Sequence, residues 1–336
     1  MAVIYNPITL PASKMLATMT SLIGIVRFND TLAPSEIIND LVDSSRIGKV
    51  DYGKGIVYTF KTSTLPVKDL TEQSSAFNIT KPNLAQETIL IDNYKFVPIS
   101  LSEMLSNDAM LSGETINEFF SFVMGMTADT TQFHMFDVVN ALYQNWIPGQ
   151  ATQTIEVDQI NTNALSGAEL KVAEEWNAKQ VAKIMRKTIR NMQLKNTKFT
   201  DVATFVDVND GQTKKVESCL ARNDLKVVFN DKFYTDFLAD AMSSLYHSEK
   251  VGEMIESGRQ IVLPTDAMTE DNAEVIAWAS DRMKFAFADF YLVTLSIQDP
   301  STGYTNTFYH FAYGAGVFKY APGVKFVANY VEPAQE

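Results

Sequence analysis

Residues 112–146 carry the longest helix-compatible hydrophobic pattern of the chain. Apolar and small side chains recur every three or four residues, which is the spacing of one helix face. Further Phe and Met side chains occupy the other sides, so we predict a long helix that is buried around most of its circumference. Ser112 stands at the N-cap position, Pro148 follows the end, and Gly125 is where a bend or a split is expected. The stripe consists of Ile116, Phe120, Val123, Thr127, Thr131, Val138 and Leu142.

A second helix and a strand-rich end follow the long helix. Residues 167–194 carry one apolar stripe, with Glu side chains early and basic side chains late, as the helix dipole favours. Residues 224–230, DLKVVFN, have the pattern of a compact buried strand, and the pattern of 232–247 predicts a helix. Residues 283–330 consist of alternating strand patterns and turns. The order of elements predicts an α+β architecture.

The region before the long helix has the pattern of a β-ribbon. Residues 56–61 are rich in β-branched and aromatic side chains, residues 87–100 form a return strand, and 62–85 are polar. An isolated two-stranded ribbon is marginal in water, so this one is expected to project from the body and to need a surface to lie on. Ile89, Ile91 and Asn93 fall on one face of the return strand, and Leu90, Tyr94 and Phe96 fall on the other.

Shorter segments flank the ribbon. Residues 1–33 have no clean hydrophobic period and are interpreted as an arm that lies along a neighbouring surface. The pattern of 34–42 predicts a short helix. Capping-box spacing at 100–103 predicts another short helix directly before the long one. Gly314 and Gly316 lie two residues apart in a strand region, which is typical of a bulge or turn.

Composition limits the classes of function. The chain has 336 residues and a net charge of −12, with 40 acidic and 28 basic side chains. This balance argues against broad, non-specific binding to nucleic acid or anionic lipid. The single cysteine, Cys219, excludes an intrachain disulfide and a cysteine metal cluster. We find no apolar run long enough to span a membrane and no signal-peptide pattern at the start. We therefore expect a protein that is cytosolic or is assembled in a cytosol.

Motifs that carry catalysis are scarce. The three histidines, His134, His247 and His310, do not form a metal-ligand pair such as HExxH. The sequence contains no nucleophile elbow, phosphate-binding loop or dinucleotide-binding motif. Residues 207–211 partly resemble a calcium loop, but the next acidic ligand is out of register. We therefore expect a protein that is not an enzyme and that holds no cofactor or metal.

The order of the elements resembles the major capsid proteins of tailed bacteriophages, which share the Hong Kong 97-type fold. In this family an arm and a short helix precede an extended ribbon, the E-loop. The segment ILIDNYKFVPISLSEML resembles the entry of its peripheral domain, and 113–146 its spine helix. DLKVVFNDKFYTDF, at 224–237, is similar to the strand–helix step of its axial domain. The segments MKFAFADFYLVTLSIQD and VKFVANY are similar to its closing strands.

The resemblance implies a shell-forming protein and a division of the chain. It implies self-assembly into pentamers and hexamers of an icosahedral shell around double-stranded DNA, inside a bacterial host cytoplasm. Scaffolding and portal proteins are expected partners, weak contact with packaged DNA is expected on the inner face, and no membrane is involved. A chain of this size without a long charged N-terminal extension suggests a small, podovirus-like phage with a separate scaffold. The implied parts are an arm with a short helix (1–45), the ribbon (46–97), the peripheral domain (98–165), the axial domain (166–280) and the closing strands (281–336).

Two sets of residues are candidates for contacts between subunits. The first set lies on the ribbon and consists of Lys49, Tyr52, Lys54, Lys61, Lys68, Asp69 and Glu72. The second lies on the helix at 167–194 and consists of Lys183, Arg186, Lys187 and Arg190. Residues 179–198 contain basic but no acidic side chains, so this second set either forms a solvated face or meets acidic neighbours or nucleic-acid phosphates.

Two other classes of protein fit parts of the pattern. Encapsulins, which form compartments around protein cargo, share the Hong Kong 97-type fold. A soluble enzyme with an unrecognised site is the second alternative. Electron microscopy separates shells from small oligomers, and the content of the shells separates a phage capsid from an encapsulin.

Overall fold

The computed structural model describes residues 36–65, 80–102, 115–163, 165–234, 259–301 and 304–331. Its helices are α1 (Glu36–Ser45), α2 (Thr115–Gln144) and α3 (Gly167–Gln193). Its strands are β1 (Arg46–Lys49), β2 (Gly55–Lys61), β3 (Leu84–Leu90), β4 (Asn93–Ser102), β5 (Thr154–Ile160), β6 (Thr204–Val206), β7 (Thr213–Lys215), β8 (Leu225–Asn230), β9 (Arg259–Leu263), β10 (Val275–Asp281), β11 (Phe285–Asp299), β12 (Tyr304–Val317) and β13 (Gly323–Val331). Residues 231–234 are also helical. The predicted N-terminal arm and most of the helix predicted at 232–247 lie outside the described residues.

Contacts within the chain define two compact units. The first unit comprises Met1–Ile56, Ile89–Val139 and Phe287–Ala315. The second comprises Val57–Thr88, Asn140–Ala286 and Gly316–Glu336. The implied division of the chain into five parts stays a prediction.

The first unit is organised by a four-stranded sheet of order β1-β11-β12-β4. β1 runs parallel to β11, and β12 runs antiparallel to β4. Tyr309, Phe311 and Tyr313 of β12 are buried together, and Val138 of α2 packs on them. His134 of α2 also contacts this group, because its ring lies 5.3 Å from the ring of Tyr313. One face of the sheet therefore packs against the long helix.

Helix α2 is continuous through Gly125, so the predicted split is not formed. Buried side chains recur along it at intervals of four residues, including Thr127, Thr131 and Met135. The buried hydroxyl of Thr131 is satisfied by the carbonyl of Thr127 at 2.9 Å. Phe133 is 46% exposed and Met126 is 55% exposed. The described part of α2 therefore keeps one exposed stripe beside its buried and half-buried sides. The predicted N-cap at Ser112 lies outside the described residues.

The second unit has a five-stranded sheet of order β5-β13-β10-β8-β9, with α3 packed against β5. β8 is buried at every position, including Lys226 and Asn230, and the predicted buried strand is confirmed. The apolar stripe of α3 is confirmed, and it joins the core that this sheet forms. The buried side chains of α3 are Ala173, Ala178, Val181, Ala182, Met185, Thr188, Ile189 and Met192.

A fully buried lysine lies within the second unit. Lys284 Nζ forms an ion pair with Asp201 Oδ2 at 2.8 Å and donates to the carbonyl of Ala321 at 3.0 Å. Its ammonium is 5.1 Å from the ring centroid of Trp146. Burial lowers the pKa of Lys284, and the charge of Asp201 opposes this shift. The carboxylate also accepts from Gln153 Nε2 at 2.8 Å, so the ion pair sits in a hydrogen-bonded setting that a buried charge requires.

The segment between the ribbon and the long helix differs from the prediction in two places. The return strand at 87–100 is interrupted, because Ile91 leaves the strand and its backbone pairs with Gly53 and Lys54. The helix predicted to start at 100–103 is wrong for its first residues, because Ser100 and Leu101 belong to β4 and pair with β12. The rest of that predicted helix lies outside the described residues.

Gly314 lies inside a regular strand instead of the predicted turn or bulge. A Cβ atom on Gly314 would lie 2.0 Å from the carbonyl oxygen of Leu90. The glycine is thus required by the close approach of two backbones, which is one of the known uses of glycine in strands.

We predict that Gly314→Ala lowers the free energy of unfolding by about 1–3 kcal/mol, because the new methyl group overpacks against Leu90. Urea unfolding of the dispersed subunit measures this change. Gly125→Ala is the matched control, since a Cβ there meets no atom within 4 Å. It is expected to stabilise α2 by about 0.5–1 kcal/mol. Equal stability of Gly314→Ala and the natural protein would contradict the close approach.

Candidate assembly surfaces

The described part of the ribbon is an antiparallel pair of strands, β2 and β3. Next to the tip, Thr62 N donates to Asn83 O at 3.2 Å. At the other end, Gly53 N donates to Ile91 O, and Ile91 N donates to Lys54 O, both at 3.0 Å. Both predicted strands are therefore confirmed as strands.

Aromatic side chains of β2 pack against the segment that follows β12. The ring of Tyr58 lies 5.1 Å from the ring of Phe318, and the ring of Phe60 lies 5.4 Å from it. Phe60 also stacks on Tyr320 at 6.4 Å. The carboxylate of Glu87 on β3 accepts from the backbone N–H of Tyr320 at 2.9 Å. Both strands of the ribbon thus contact the same short segment of the chain.

A second group of contacts holds the first strand near the tip. Glu217 Oε2 accepts from the backbone N–H and the hydroxyl of Thr64, both at 2.9 Å. Lys195 Nζ lies 2.9 Å from the same carboxylate oxygen and 2.9 Å from Thr64 Oγ1. Glu217 N also donates to Thr62 O at 2.9 Å. One glutamate therefore binds two residues of the ribbon through both backbone and side chain.

The returning strand is held by Asn209. Its side-chain oxygen accepts from Lys81 N at 2.8 Å, and its Nδ2 donates to Lys81 O at 3.0 Å. Next to it, Val208 N donates to the side-chain oxygen of Asn83 at 2.9 Å. We refer to Lys195, Val208, Asn209 and Glu217 as the ribbon clamp.

An ion cluster stiffens the loop that carries Asn209. Lys214 Nζ pairs with Asp207 and, at 2.8 Å, with Asp210. Asp207 Oδ1 also accepts from the backbone N–H of Asn209 at 2.8 Å. Gly211 has a φ of +69° and completes the predicted turn. The ammonium of Lys214 therefore lies between the carboxylates of the loop that partly resembles a calcium site.

These contacts shift the pKa values of the carboxyl groups. The hydrogen bond from Lys214 holds the pKa of Asp207 well below its usual range and also lowers the pKa of Asp210. Burial raises the pKa of Glu217, but the hydrogen bonds from Lys195 and Thr64 outweigh burial and lower it overall. All three groups therefore favour the folded state when they are ionised.

The described part of the ribbon thus lies on its own chain. Its own chain therefore supplies the surface that the ribbon is expected to need, and its reach toward a neighbouring subunit stays a prediction. Residues of the ribbon clamp were not among the sequence candidates, because their partners are more than a hundred positions away. Only the Asn-Asp-Gly turn at 209–211 was visible as a local signal.

The ribbon candidates take different positions. Tyr52 is exposed and its ring meets the ring of Tyr94 edge to face at 5.6 Å. Lys54 forms an exposed ion pair with Asp51 at 2.5 Å. Lys49 and Lys61 are exposed at the ends of their strands. The candidates outside the described residues are Lys68, Asp69 and Glu72.

The basic candidates form one exposed row on α3. Lys183, Arg186, Lys187 and Arg190 are all exposed, while the intervening Met185, Thr188 and Ile189 are buried. None of the four pairs with a carboxylate of the described part of the chain. The predicted basic face is therefore present, and its role in assembly stays a prediction.

The histidines and the cysteine have structural surroundings where they are described. His134 Nε2 lies 3.3 Å from the hydroxyl of Tyr313, and burial lowers the pKa of His134. The thiol of Cys219 donates to Gln193 O at 3.1 Å. Across the described ranges, no group of three His, Cys, Asp or Glu side chains is arranged to hold a metal ion. No helix within these ranges is long and apolar enough to cross a membrane.

We predict that Asn209→Ala loosens the ribbon, because both hydrogen bonds to Lys81 are lost. Amide hydrogen exchange of β2 and β3 is expected to become about tenfold faster. Asn329→Ala is the matched control, because Asn329 makes an exposed hydrogen bond to Asp158 in the same unit. Unchanged exchange in Asn209→Ala would contradict the ribbon clamp.

We also predict that acid loosens the ribbon. Since the pKa values of Asp207, Asp210 and Glu217 are lowered in the folded state, their stabilisation is complete above the ordinary carboxyl pKa of about 4 and is lost as pH falls further. Hydrogen exchange of β2 and β3, corrected for the intrinsic rate, measures this loss. In Lys214→Met the loss is expected to be smaller, because the folded-state pKa values of Asp207 and Asp210 then lie closer to their unfolded-state values. The same pH profile in both proteins would exclude the ion cluster as the cause.

Comparisons with known proteins identify the family. The sequence profile of the Phi29-like phage major capsid protein matches residues 57–327, from within β2 to within β13. No curated protein matches the chain by sequence.

Solved structures of phage particles share the fold. A chain in the structure of the head fiber and inner core protein gp22 of native bacteriophage P68 is 11% identical with a TM-score of 0.55, over 84% of this chain and 83% of that one. A chain in the capsid structure of Staphylococcus phage Andhra is 9% identical with a TM-score of 0.52, over 85% and 83%. A chain of the mature capsid of bacteriophage PhiM1 is 9% identical with a TM-score of 0.50, over 85% of each chain.

The predicted α+β, Hong Kong 97-type fold is therefore confirmed. Together, the fold and the sequence profile show that this chain belongs to the Phi29-like phage major capsid proteins and serves as a structural, shell-forming protein of the virion.

Proposed function

We propose that this chain assembles into pentamers and hexamers of an icosahedral shell that encloses double-stranded phage DNA, and that assembly takes place in the cytoplasm of a bacterial host. The match of the capsid-protein profile to residues 57–327 carries this proposal. The same match favours a phage capsid over an encapsulin compartment. No catalytic role is part of the proposal.

The ribbon at 46–97 acts in this proposal as the E-loop that reaches a neighbouring subunit. Its described part is supported by the ribbon clamp and by the aromatic contacts of Tyr58 and Phe60. A pair of strands is marginal alone, so this support fixes the direction of the ribbon before a neighbour is met. The segment 66–79 connects the two clamped strands and contains Lys68, Asp69 and Glu72, which supply charges for a polar contact between subunits.

The basic row on α3 is proposed to meet acidic neighbours or phosphates of the packaged DNA. Its four exposed side chains are separated from the core by a buried stripe, so they are free to serve a second partner without loss of packing. The net charge of −12 keeps contact with DNA weak over the rest of the surface. A solvated face is the competing interpretation of the same residues.

Scaffolding and portal proteins are proposed as further partners. Identical subunits arranged in pentamers and hexamers are compatible with closed shells of several sizes, so another component is needed to select one size. A shell that encloses DNA also needs one site of entry.

We predict that replacing residues 66–79 by a short Gly/Ser linker abolishes shells but leaves the subunit folded, because Thr64 and Lys81 keep their contacts with the ribbon clamp. The natural protein, expressed with the other head proteins of the same phage, is expected to give icosahedral shells in electron micrographs. Circular dichroism and thermal unfolding serve as the folding control. Normal shells from the linker variant would refute the E-loop assignment, and small closed oligomers of the natural protein would refute the shell.

A further inference from the structure

The sheet of the first unit has a second face that is rich in aromatic side chains. Phe96 of β4 lies directly opposite His310 of β12, so both side chains point to the same side. Tyr94 and Phe308 share this side because side chains alternate along a strand. Ser296 Oγ lies 3.2 Å from Thr307 Oγ1, which assigns these two to the opposite side. The remaining members of the aromatic face on β11 are therefore Val293, Leu295 and Ile297.

These side chains form one contiguous surface. The ring of Tyr94 stacks on His310 at 5.3 Å, and Phe96 meets Phe308 edge to face at 5.7 Å. Tyr52 extends the surface through its contact with Tyr94. The opposite side of the sheet is the one on which Val138 of α2 packs. The aromatic face thus lies on the other side of the sheet from the buried cluster of Tyr309, Phe311 and Tyr313.

Much of this surface is open to solvent. Its half-exposed side chains are Tyr52 (52%), Tyr94 (49%), Phe96 (53%), Val293 (47%), Leu295 (52%), Ile297 (62%) and Tyr304 (46%). Since a large side chain covers roughly 150–250 Å², the exposed apolar area is on the order of 600 Å². That value is at the upper end for the largest patch of a soluble monomer. It approaches the roughly 800 Å² that each partner buries in a stable interface.

The composition of the aromatic face is that of the centre of an interface. Along the described strands, its positions on β4, β11 and β12 carry no Lys, Arg, Asp or Glu between Val293 and Ile297, between Tyr304 and His310, or between Tyr94 and Ser100. Charged side chains are depleted and aromatic ones enriched at the buried centre of protein interfaces. Solvated edge and outer strands are usually marked by charges instead.

We propose that this aromatic face is covered by a second copy of the chain within the shell. The inference rests on the proposed function. Every subunit carries the face, so a partner present in a few copies per particle would leave nearly all of these faces open to water. Covering every aromatic face requires one partner for each subunit. A second copy of the chain meets this requirement, because the chain is present once for every face. The exposed area is sufficient for one repeated contact of this kind.

Photocrosslinking at position 96 tests the inference without removing an aromatic ring. Phe96 is replaced by p-benzoylphenylalanine in shells assembled from a mixture of isotope-labelled and unlabelled chains. We expect dimers on irradiation, with crosslinked peptides that combine a labelled and an unlabelled chain. Dispersed subunits of the same variant are the control and should stay monomeric. Crosslinks within one chain, crosslinks to another protein, or no crosslinks in intact shells would each overturn the inference.

A substitution pair gives the size of the effect. Phe96→Ser is expected to raise the subunit concentration needed for assembly by about tenfold or more, as loss of a central aromatic contact does. Phe96→Tyr keeps the ring and is expected to assemble normally. Thermal unfolding of the subunits shows whether Phe96→Ser remains folded. If natural chains form shells and folded Phe96→Ser assembles equally well, the inference fails while the proposed function stands; if natural chains form no shells, the proposed function fails first.

Discussion

The ribbon depends on polar contacts with residues far along the same chain. Two strands without a third cannot bury enough surface to hold one orientation in water. Glu217 and Asn209 solve this problem by binding the backbone of Thr64, which follows β2, and of Lys81, which precedes β3. The aromatic side chains of β2 add apolar burial beneath these hydrogen bonds. A subunit built in this way presents its ribbon in a defined direction before it meets another subunit.

The clamp itself depends on charges that compensate each other. Lys214 brings Asp207 and Asp210 together, and the amide of Asn209 is bound by the same aspartate. The loop is thereby ordered by its own lysine. Individual contacts between subunits of a closed shell are modest and act together. A subunit whose geometry is fixed beforehand therefore assembles at a lower cost in conformational entropy.

Local sequence patterns predicted those helices and strands whose buried positions follow their own hydrophobic pattern. Helix α3 and strand β8 are examples, because most of the side chains that the structure buries there are apolar. Contacts across long separations were not predictable. Ser100 carries a helix-capping pattern, yet pairing with Asn306 makes it part of a strand. Likewise, nothing near Asn209 indicates that its partner is Lys81. The capsid fold was predictable only from the order of the helices and strands along the chain.

A cryo-electron microscopy reconstruction of assembled particles tests the central claim most directly, because it shows both the lattice and the residues that each ribbon contacts. We expect an icosahedral lattice in which Asn209 binds Lys81 and Glu217 binds Thr64 of the same chain in every copy. A lattice in which these residues bind the ribbon of a different subunit, or particles that are only small closed oligomers, would contradict this prediction.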